Sequence, residues 1–121
     1  MTAQIGVIGA GAGGAAATYV IDRALPQAEV TVFEKSRGVC GRAAARRRDG
    51  TVYEYGANFL KDTGGPVSAL VTDRLDDRLV EVQGPVWTFD ADGHVTEGPD
   101  ADERRWTYED GLTRLAKHLF G

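Results

Sequence analysis

The chain opens with a short apolar run, Ile5, Val7 and Ile8, that leads straight into Gly9-Ala10-Gly11-Ala12-Gly13-Gly14. A compact apolar run without strict alternation predicts a strand buried in a parallel sheet. Ala15 to Ala24 follows, rich in alanine with apolar Tyr19 and Val20, and predicts a helix packed closely on that sheet. Pro26 ends it, because proline lacks the N–H and clashes with the preceding turn. β-Branched Val30, Thr31 and Val32, with Phe33, predict a second strand that ends at Glu34. Strand, glycine turn, helix and strand in succession form a βαβ unit, whose crossover is right-handed almost without exception.

Beyond Glu34 the pattern is less regular. Ser36 to Gly41 reads as a loop, and Arg42 to Arg48 as a short helical or irregular stretch. Val52, Tyr53 and Tyr55 predict a short strand before Gly56, and Pro66 to Leu75 a helix with Val67, Leu70, Val71 and Leu75 near one face. Leu79 to Val82 and Val86 to Phe89 predict two strands separated by Gly84-Pro85. The Asp92-Gly93 turn, followed by His94-Val95-Thr96, makes the second of these one arm of a hairpin. Asp100 to Arg105 reads as a polar loop. Leu112, Leu115, Ala116, Leu119 and Phe120 recur at helical spacing, so an amphipathic helix closes the chain.

Composition narrows the function classes. The 121 residues fit one domain. No apolar run approaches the roughly 20 residues that span a bilayer, which argues against a membrane protein. The first residues lack the charged segment and apolar core of a secretory signal. Cys40 is the single cysteine, so no internal disulfide is expected and a cytoplasmic setting is. The net charge of −4 is uneven: residues 1–50 carry seven Lys/Arg against four Asp/Glu, and residues 51–121 carry seven against fourteen. Arg37, Arg42, Arg46, Arg47 and Arg48 concentrate the positive charge close to the glycines, where it faces either a phosphate or solvent. An acidic chain with no aromatics interleaved in its basic stretch argues against nucleic acid as a partner. Glycine is the anomaly, at 16 of 121 residues, about twice the average share of roughly 7%.

Five of those glycines lie within residues 6–14, and Gly9, Gly11 and Gly14 satisfy G-x-G-x-x-G. Between a strand and a helix this motif has a mechanism. Gly9 permits the tight turn, Gly11 lets a pyrophosphate approach the backbone, and Gly14 lets the helix sit close on the sheet. The phosphates then meet free N–H groups and the positive end of the helix dipole. Glu34, 20 residues past Gly14, stands where an acidic side chain accepts hydrogen bonds from an adenosine ribose. A carboxylate there disfavours a 2′-phosphate. The pattern reads as a dinucleotide site.

Which dinucleotide is addressed by resemblance. Glu34-Lys35-Ser36-Arg37-Gly38-Val39-Cys40-Gly41-Arg42, followed by Tyr55-Gly56-Ala57-Asn58-Phe59, resembles the N-terminal part of the flavin amine oxidase superfamily, more narrowly renalase-like FAD-dependent oxidoreductases. The resemblance implies FAD as cofactor. It places Gly9, Gly11, Ala12, Gly13 and Gly14 along the pyrophosphate and Glu34, Lys35 and Arg37 on the adenosine side. Gly41 and Arg42 would lie at the phosphates, with Gly56, Ala57 and Asn58 towards the isoalloxazine. Trp106-Thr107-Tyr108 with Gly111-Leu112 and Leu115-Ala116 also resembles the family's stretch before its next strand. Two departures stand out. Cys40 occupies the first position of a Gly-Gly pair, where positive φ would strain it. Family members are also about three times as long, so the expectation is the amino-terminal third of such an enzyme, not catalytically competent in isolation.

The expected fold is therefore α/β: a Rossmann-type FAD/NAD(P)-binding βαβ unit with additional short strands and a C-terminal helix, an incomplete domain. Residues 1–60 would form the adenosine-binding core with its Gly-Arg loop, and residues 61–121 the start of a substrate or cap region. Hydride would pass from a small amine or dihydropyridine-like substrate to the flavin. The alternatives are a non-catalytic dinucleotide-binding remnant and an NAD-binding module. Unpaired strand edges would favour self-association. Catalytic residues are not assigned, and no metal site is expected. His94 and His118 lack ligand partners at metal spacing and are expected to face solvent, as are Asp76, Asp77, Asp90 and Asp92. Trp87 and Trp106 are expected to pack. Cys40 is either a redox thiol or a small residue filling a crowded loop, and the second reading is preferred.

Overall fold

The computed structural model describes residues 1–100 and 102–121. Strand β1 (Gln4–Ile8) runs through the glycine turn into helix α1 (Ala12–Ala24), and the chain returns as β2 (Glu29–Phe33) parallel to β1. The register runs from Gln4 opposite Glu29 to Ile8 opposite Phe33. This is the expected βαβ unit. Its sheet differs from a fully buried one, because exposure alternates along both strands. Val7 faces α1, whereas Ile8 is 84% and Phe33 56% exposed. Among the described residues the sheet has two strands and a helix on one face only, so its other face meets solvent.

After a 3-10 turn at Gly41–Ala43, β3 (Ala45–Arg48) pairs antiparallel with β4 (Thr51–Glu54) across Asp49-Gly50. The expectation of a helical or irregular stretch over 42–48 holds for Arg42, Ala43 and Ala44 and fails for Ala45–Arg48. Asp49 and Gly50 both take positive φ, 50° and 78°, the backbone that a tight two-residue hairpin turn requires. Strand β5 (Leu60–Lys61) precedes helix α2 (Pro66–Arg74), which opens on a proline in its first turn. Val71 and Leu75 are buried, while Val67 is exposed. Next come β6 (Leu79–Glu81), β7 (Pro85–Phe89), β8 (Val95–Asp100), β9 (Arg105–Tyr108) and helix α3 (Thr113–Phe120).

Strands β5, β9 and β6 form one antiparallel sheet, with β9 in the centre. The polar loop expected over 100–105 is thus shorter than drawn: Asp100 ends β8 and Arg105 begins β9, and Ala101 lies outside the described residues. β7 and β8 form the expected hairpin. Trp87 is opposite Glu97 and Phe89 opposite Val95, so Trp87, Phe89 and Val95 share one exposed face. Trp87 is therefore not a packing residue, since no third layer covers the hairpin among the described residues.

The core lies where α1 meets α3. Ala15 and Ala116 are fully buried, and their small side chains let the helices approach closely. Cys40, Leu75 and Leu119 complete the cluster, with Tyr19, Leu70 and Leu115 packed against it. Tyr108 reaches into this region and donates its hydroxyl hydrogen bond to the Leu75 carbonyl at 2.9 Å. His118 does not simply face solvent, as expected from sequence. The last turn of α3 rests on the turn after α2, so the ring is half-buried, with Nε2 3.0 Å from the Asp77 carbonyl oxygen.

Candidate dinucleotide site

The site is assembled from three backbone segments that interlock. At the end of β1, Gly9 takes φ +96° and donates its N–H to the Phe33 carbonyl at 2.7 Å, which ties the turn to the end of β2. A side chain is sterically excluded at Gly14, where a Cβ would lie 1.9 Å from the Gly9 carbonyl oxygen. At Gly13 a Cβ would meet nothing within 4 Å. Gly11 caps α1 without any side-chain hydrogen bond, and no acidic residue occupies the first turn. The first amides of an α-helix have no partners within the helix, and together with the dipole they favour an anion.

The second segment is the turn at residues 40–43. The Cys40 N–H donates to the Ala10 carbonyl at 2.8 Å, and Gly41 approaches Gly11 so closely that a Cβ would stand 3.2 Å from its Cα. Cys40 takes φ 80°, so the positive φ anticipated for a glycine is imposed on a cysteine. Its side chain is buried, with Sγ 3.4 Å from the Leu112 carbonyl, and burial pushes the thiol pKa up. A thiol so placed is a poor nucleophile, which favours the filling role over the redox one.

Residues 55–57 form the third segment. The Ala57 N–H donates to the Arg42 carbonyl at 3.1 Å, and a Cβ on Gly56 would lie 2.0 Å from that same oxygen. Glu54, just before, accepts the Leu112 amide at 2.7 Å, while its other carboxylate oxygen is buried without a partner. Glu54 thereby ties β4 to the N-terminus of α3. The sequence reading passed over it.

Glu34 stands at the opposite end. One carboxylate oxygen accepts the Ala10 N–H at 2.7 Å, and the other accepts the Ser36 N–H at 2.9 Å and the Ser36 hydroxyl at 3.1 Å. These bonds, the Ser36 amide foremost, hold its pKa below the ordinary carboxylate range. A carboxylate offers about four acceptor positions, so capacity is left for a ligand hydroxyl.

Two open clefts follow from this arrangement. The larger, about 1280 Å³, is lined by Gly9, Glu34, Lys35, Arg37, Gly41 and Arg42 among others. The second, about 870 Å³, is lined by Gly11, Ala12, Gly13, Gly41, Arg42, Gly56 and Ala57 among others. Gly41, Arg42 and Tyr55 line both, so the two meet along one wall. Gly14 supports the turn from beneath, and exposed Asn58 lines neither cleft. Sequence reasoning assigned no site role to Ser36 and Tyr55, which line the larger cleft together with Arg46 and Arg47 of the basic cluster. The signal for Tyr55 was its place directly before Gly56. Arg46 stacks on the Tyr55 ring at 4.3 Å, and Arg47 pairs with Asp110 at 3.7 Å. Arg37, Arg42 and Arg46 form no ion pair among the described residues. Arg48 turns away and pairs with Asp49 at the surface.

On the far hairpin, the expectation that His94 lacks ligand partners is corrected. Ligand atoms of Asp90, Asp92 and His94 lie within 4.8 Å of one another, all exposed. The turn itself explains the approach, because Asp90 accepts the Asp92 and His94 amides, both at 2.9 Å. No helix among the described residues is long and apolar enough to cross a membrane.

Solved structures share this fold. A fatty acid isomerase from P. acnes that produces CLA superposes with a TM-score of 0.63 at 24% identity over 78% of this chain. A protein assigned as a protoporphyrinogen oxidase from Exiguobacterium sp. 255-15 gives 0.61 at 24% over 80%. A putrescine oxidase redesigned at its cofactor site gives 0.58 at 26% over 82%. This chain spans 22% of the length of each. Residues 7–74, more than half of the chain, match the NAD(P)-binding Rossmann-like domain. The chain belongs to the NAD(P)-binding Rossmann-like domain family.

Proposed function

We propose that this chain forms the adenosine- and pyrophosphate-binding part of an FAD-dependent oxidoreductase of the amine oxidase type, with renalase-like enzymes the nearer resemblance. One observation carries the reading. The glycine turn, the Gly41-Arg42 turn and the Gly56-Ala57 segment converge on a continuous groove with Glu34 at one end. A plain NAD module accounts for the first and last of these and leaves the other two without a purpose. Likeness to a putrescine oxidase and to a protein assigned as a protoporphyrinogen oxidase supports the flavin reading.

The residues fit the group. Glu34 would accept the ribose hydroxyls, with Lys35 and Arg37 on the adenosine side. The amides at the start of α1, from Ala12 to Gly14, would take the pyrophosphate, joined by Gly41 and the Arg42 guanidinium, whose planar fork suits phosphate oxygens. Gly56, Ala57 and Asn58 would lie towards the ring, the absent Gly56 side chain letting this segment pack against the Arg42 carbonyl. When bound, a flavin accepts a hydride from a substrate C–H, and the protein supplies binding and orientation. The substrate class we propose is a small amine or dihydropyridine-like molecule. On this reading residues 1–60 are the adenosine half, and residues 61–121 begin a substrate-side region.

Calorimetric titration of the purified chain with FAD, NAD and ADP, with visible absorbance recorded throughout, tests this. FAD binding at least tenfold tighter than ADP supports the flavin reading. Equal affinity for FAD and ADP points to an adenosine-binding remnant, and tighter NAD than FAD to a nicotinamide module.

A further inference from the structure

The hairpin of β3 and β4 sorts the three consecutive arginines by the alternation of side chains along a strand. Ala45 and Arg47 take the face towards the loop before α3. A Cβ on Gly111 would stand 2.5 Å from the Ala45 Cβ, and Arg47 pairs with Asp110 at 3.7 Å. Arg46 and Arg48 take the opposite face. Arg48, at the hairpin end, pairs with Asp49 and lines neither cleft of the glycine site. Arg46 lies opposite Tyr53, and its guanidinium stacks 4.3 Å from the centre of the Tyr55 ring, two residues further on.

That stack has a defined place. Arg46 lines the larger cleft, and Tyr55 lines both clefts together with Gly41 and Arg42. The pair therefore borders the wall where the clefts meet, which is where the pyrophosphate is proposed to lie. No carboxylate among the described residues pairs with Arg46. Stacking covers a face of the guanidinium and leaves its in-plane N–H groups, the ones that fork onto phosphate oxygens, uncovered. It also restrains a long side chain whose freedom would otherwise be lost on binding. We propose that Arg46 is a second phosphate-binding residue beside Arg42, with Tyr55 its positioning residue. The inference rests on the dinucleotide reading of the groove and gives roles to two residues which that reading leaves unused.

The test compares ADP with adenosine, which lacks the phosphates, by NMR titration of the parent chain and four variants. Arg46 and Tyr55 are both exposed, so their substitution should leave the fold intact. Arg46→Ala should weaken ADP about tenfold, as for one hydrogen bond to a charged group, and leave adenosine unchanged. Arg48→Ala removes the same charge from the same strand and should leave both ligands unchanged. Tyr55→Leu should weaken ADP about threefold, the worth of an exposed cation–π contact. In the double variant Arg46→Ala/Tyr55→Leu that second loss should vanish, because the ring acts through the guanidinium.

ADP binding by the parent chain together with undiminished binding by Arg46→Ala overturns this inference and leaves the dinucleotide reading standing. An equal loss for adenosine, or an equal loss in Arg48→Ala, overturns it in the same way. A Tyr55→Leu loss that persists in the double variant overturns the positioning role. A parent chain that binds no nucleotide removes the dinucleotide reading and this inference with it.

Discussion

The Glu34 carboxylate reaches back across the glycine turn and accepts the Ala10 amide at 2.7 Å. The residue proposed to read the ribose therefore also fixes the loop that would hold the phosphates. Ser36 constrains the same carboxylate from the other side, so its orientation is set before any ligand arrives.

Glu34→Ala should weaken ADP binding about tenfold or more, the loss expected for hydrogen bonds to a charged group. Glu34→Gln keeps an acceptor for Ala10 and should bind better than the alanine variant. The pH dependence has a definite sign. The folded-state pKa lies below the ordinary value, so the charged form and its contribution are present above the carboxylate range. Both are lost as pH falls through the lowered pKa. Calorimetry across that acidic range should show ADP affinity falling with pH in the parent chain and flat in Glu34→Gln.

Gly13 and Gly14 are adjacent and should respond oppositely to alanine. A Cβ at Gly14 collides with the Gly9 carbonyl oxygen at 1.9 Å. That forces β1 and α1 apart and should cost about 1–3 kcal/mol or more in chemical denaturation. At Gly13 a Cβ meets nothing within 4 Å, and φ is not positive. Gly13→Ala should raise the stability of the ligand-free chain by about 0.5–1 kcal/mol, since alanine restricts the unfolded chain and favours helix. If the pyrophosphate lies over this turn, the same methyl should reduce FAD affinity. A Gly13→Ala variant that is stabilised and binds FAD as before would place the phosphates elsewhere.

Cys40 is held at φ 80° with its side chain in the core. Left-handed backbone costs a non-glycine residue roughly 1–2 kcal/mol. Cys40→Ala keeps that strain and loses the sulfur contacts. Cys40→Gly loses one more buried carbon and releases the strain. The glycine variant should therefore be no less stable than the alanine one, although large-to-small logic alone predicts the reverse. Urea denaturation of the pair decides it. Burial also predicts that the native thiol resists a disulfide reagent until the chain is unfolded.

The parts legible in the sequence are those set by short-range spacing. β1, α1, β2 and the glycine turn follow from residues close together in the chain, and so does the amphipathic pattern of α3. β9 was not legible, because Arg105–Tyr108 becomes a strand by pairing with Leu60 on one side and Leu79 on the other. Nothing in those four residues alternates strongly. Strand β3 (Ala45–Arg48) had a signal, the Asp49-Gly50 dipeptide, but three consecutive arginines obscured it. Glu54 and Cys40 owe their roles to contacts with Leu112, far along the chain. Exposure of Ile8 was equally hidden, since a strand's own residues do not report how many layers cover it.

Tyr108 links β9, the central strand of the three-stranded sheet, to the helix layer. Its hydroxyl donates to the Leu75 carbonyl at 2.9 Å, and the ring is 2% exposed. Burial is the main cause that pushes its pKa up to about 12 from an ordinary value near 10. The neutral phenol is the form the fold prefers, so the stabilisation is complete below the ordinary pKa. As pH rises from there through the folded-state value, ionisation of the unfolded chain draws the equilibrium away from the native state. Urea midpoints should therefore fall steeply between those two values. Tyr108→Phe removes both the ionisable proton and the hydrogen bond, leaving the Leu75 carbonyl buried without this donor. It should cost about 1–2 kcal/mol at neutral pH and flatten the alkaline decline. An alkaline slope unchanged in Tyr108→Phe would assign the decline to another group and remove this tyrosine as the link between the layers.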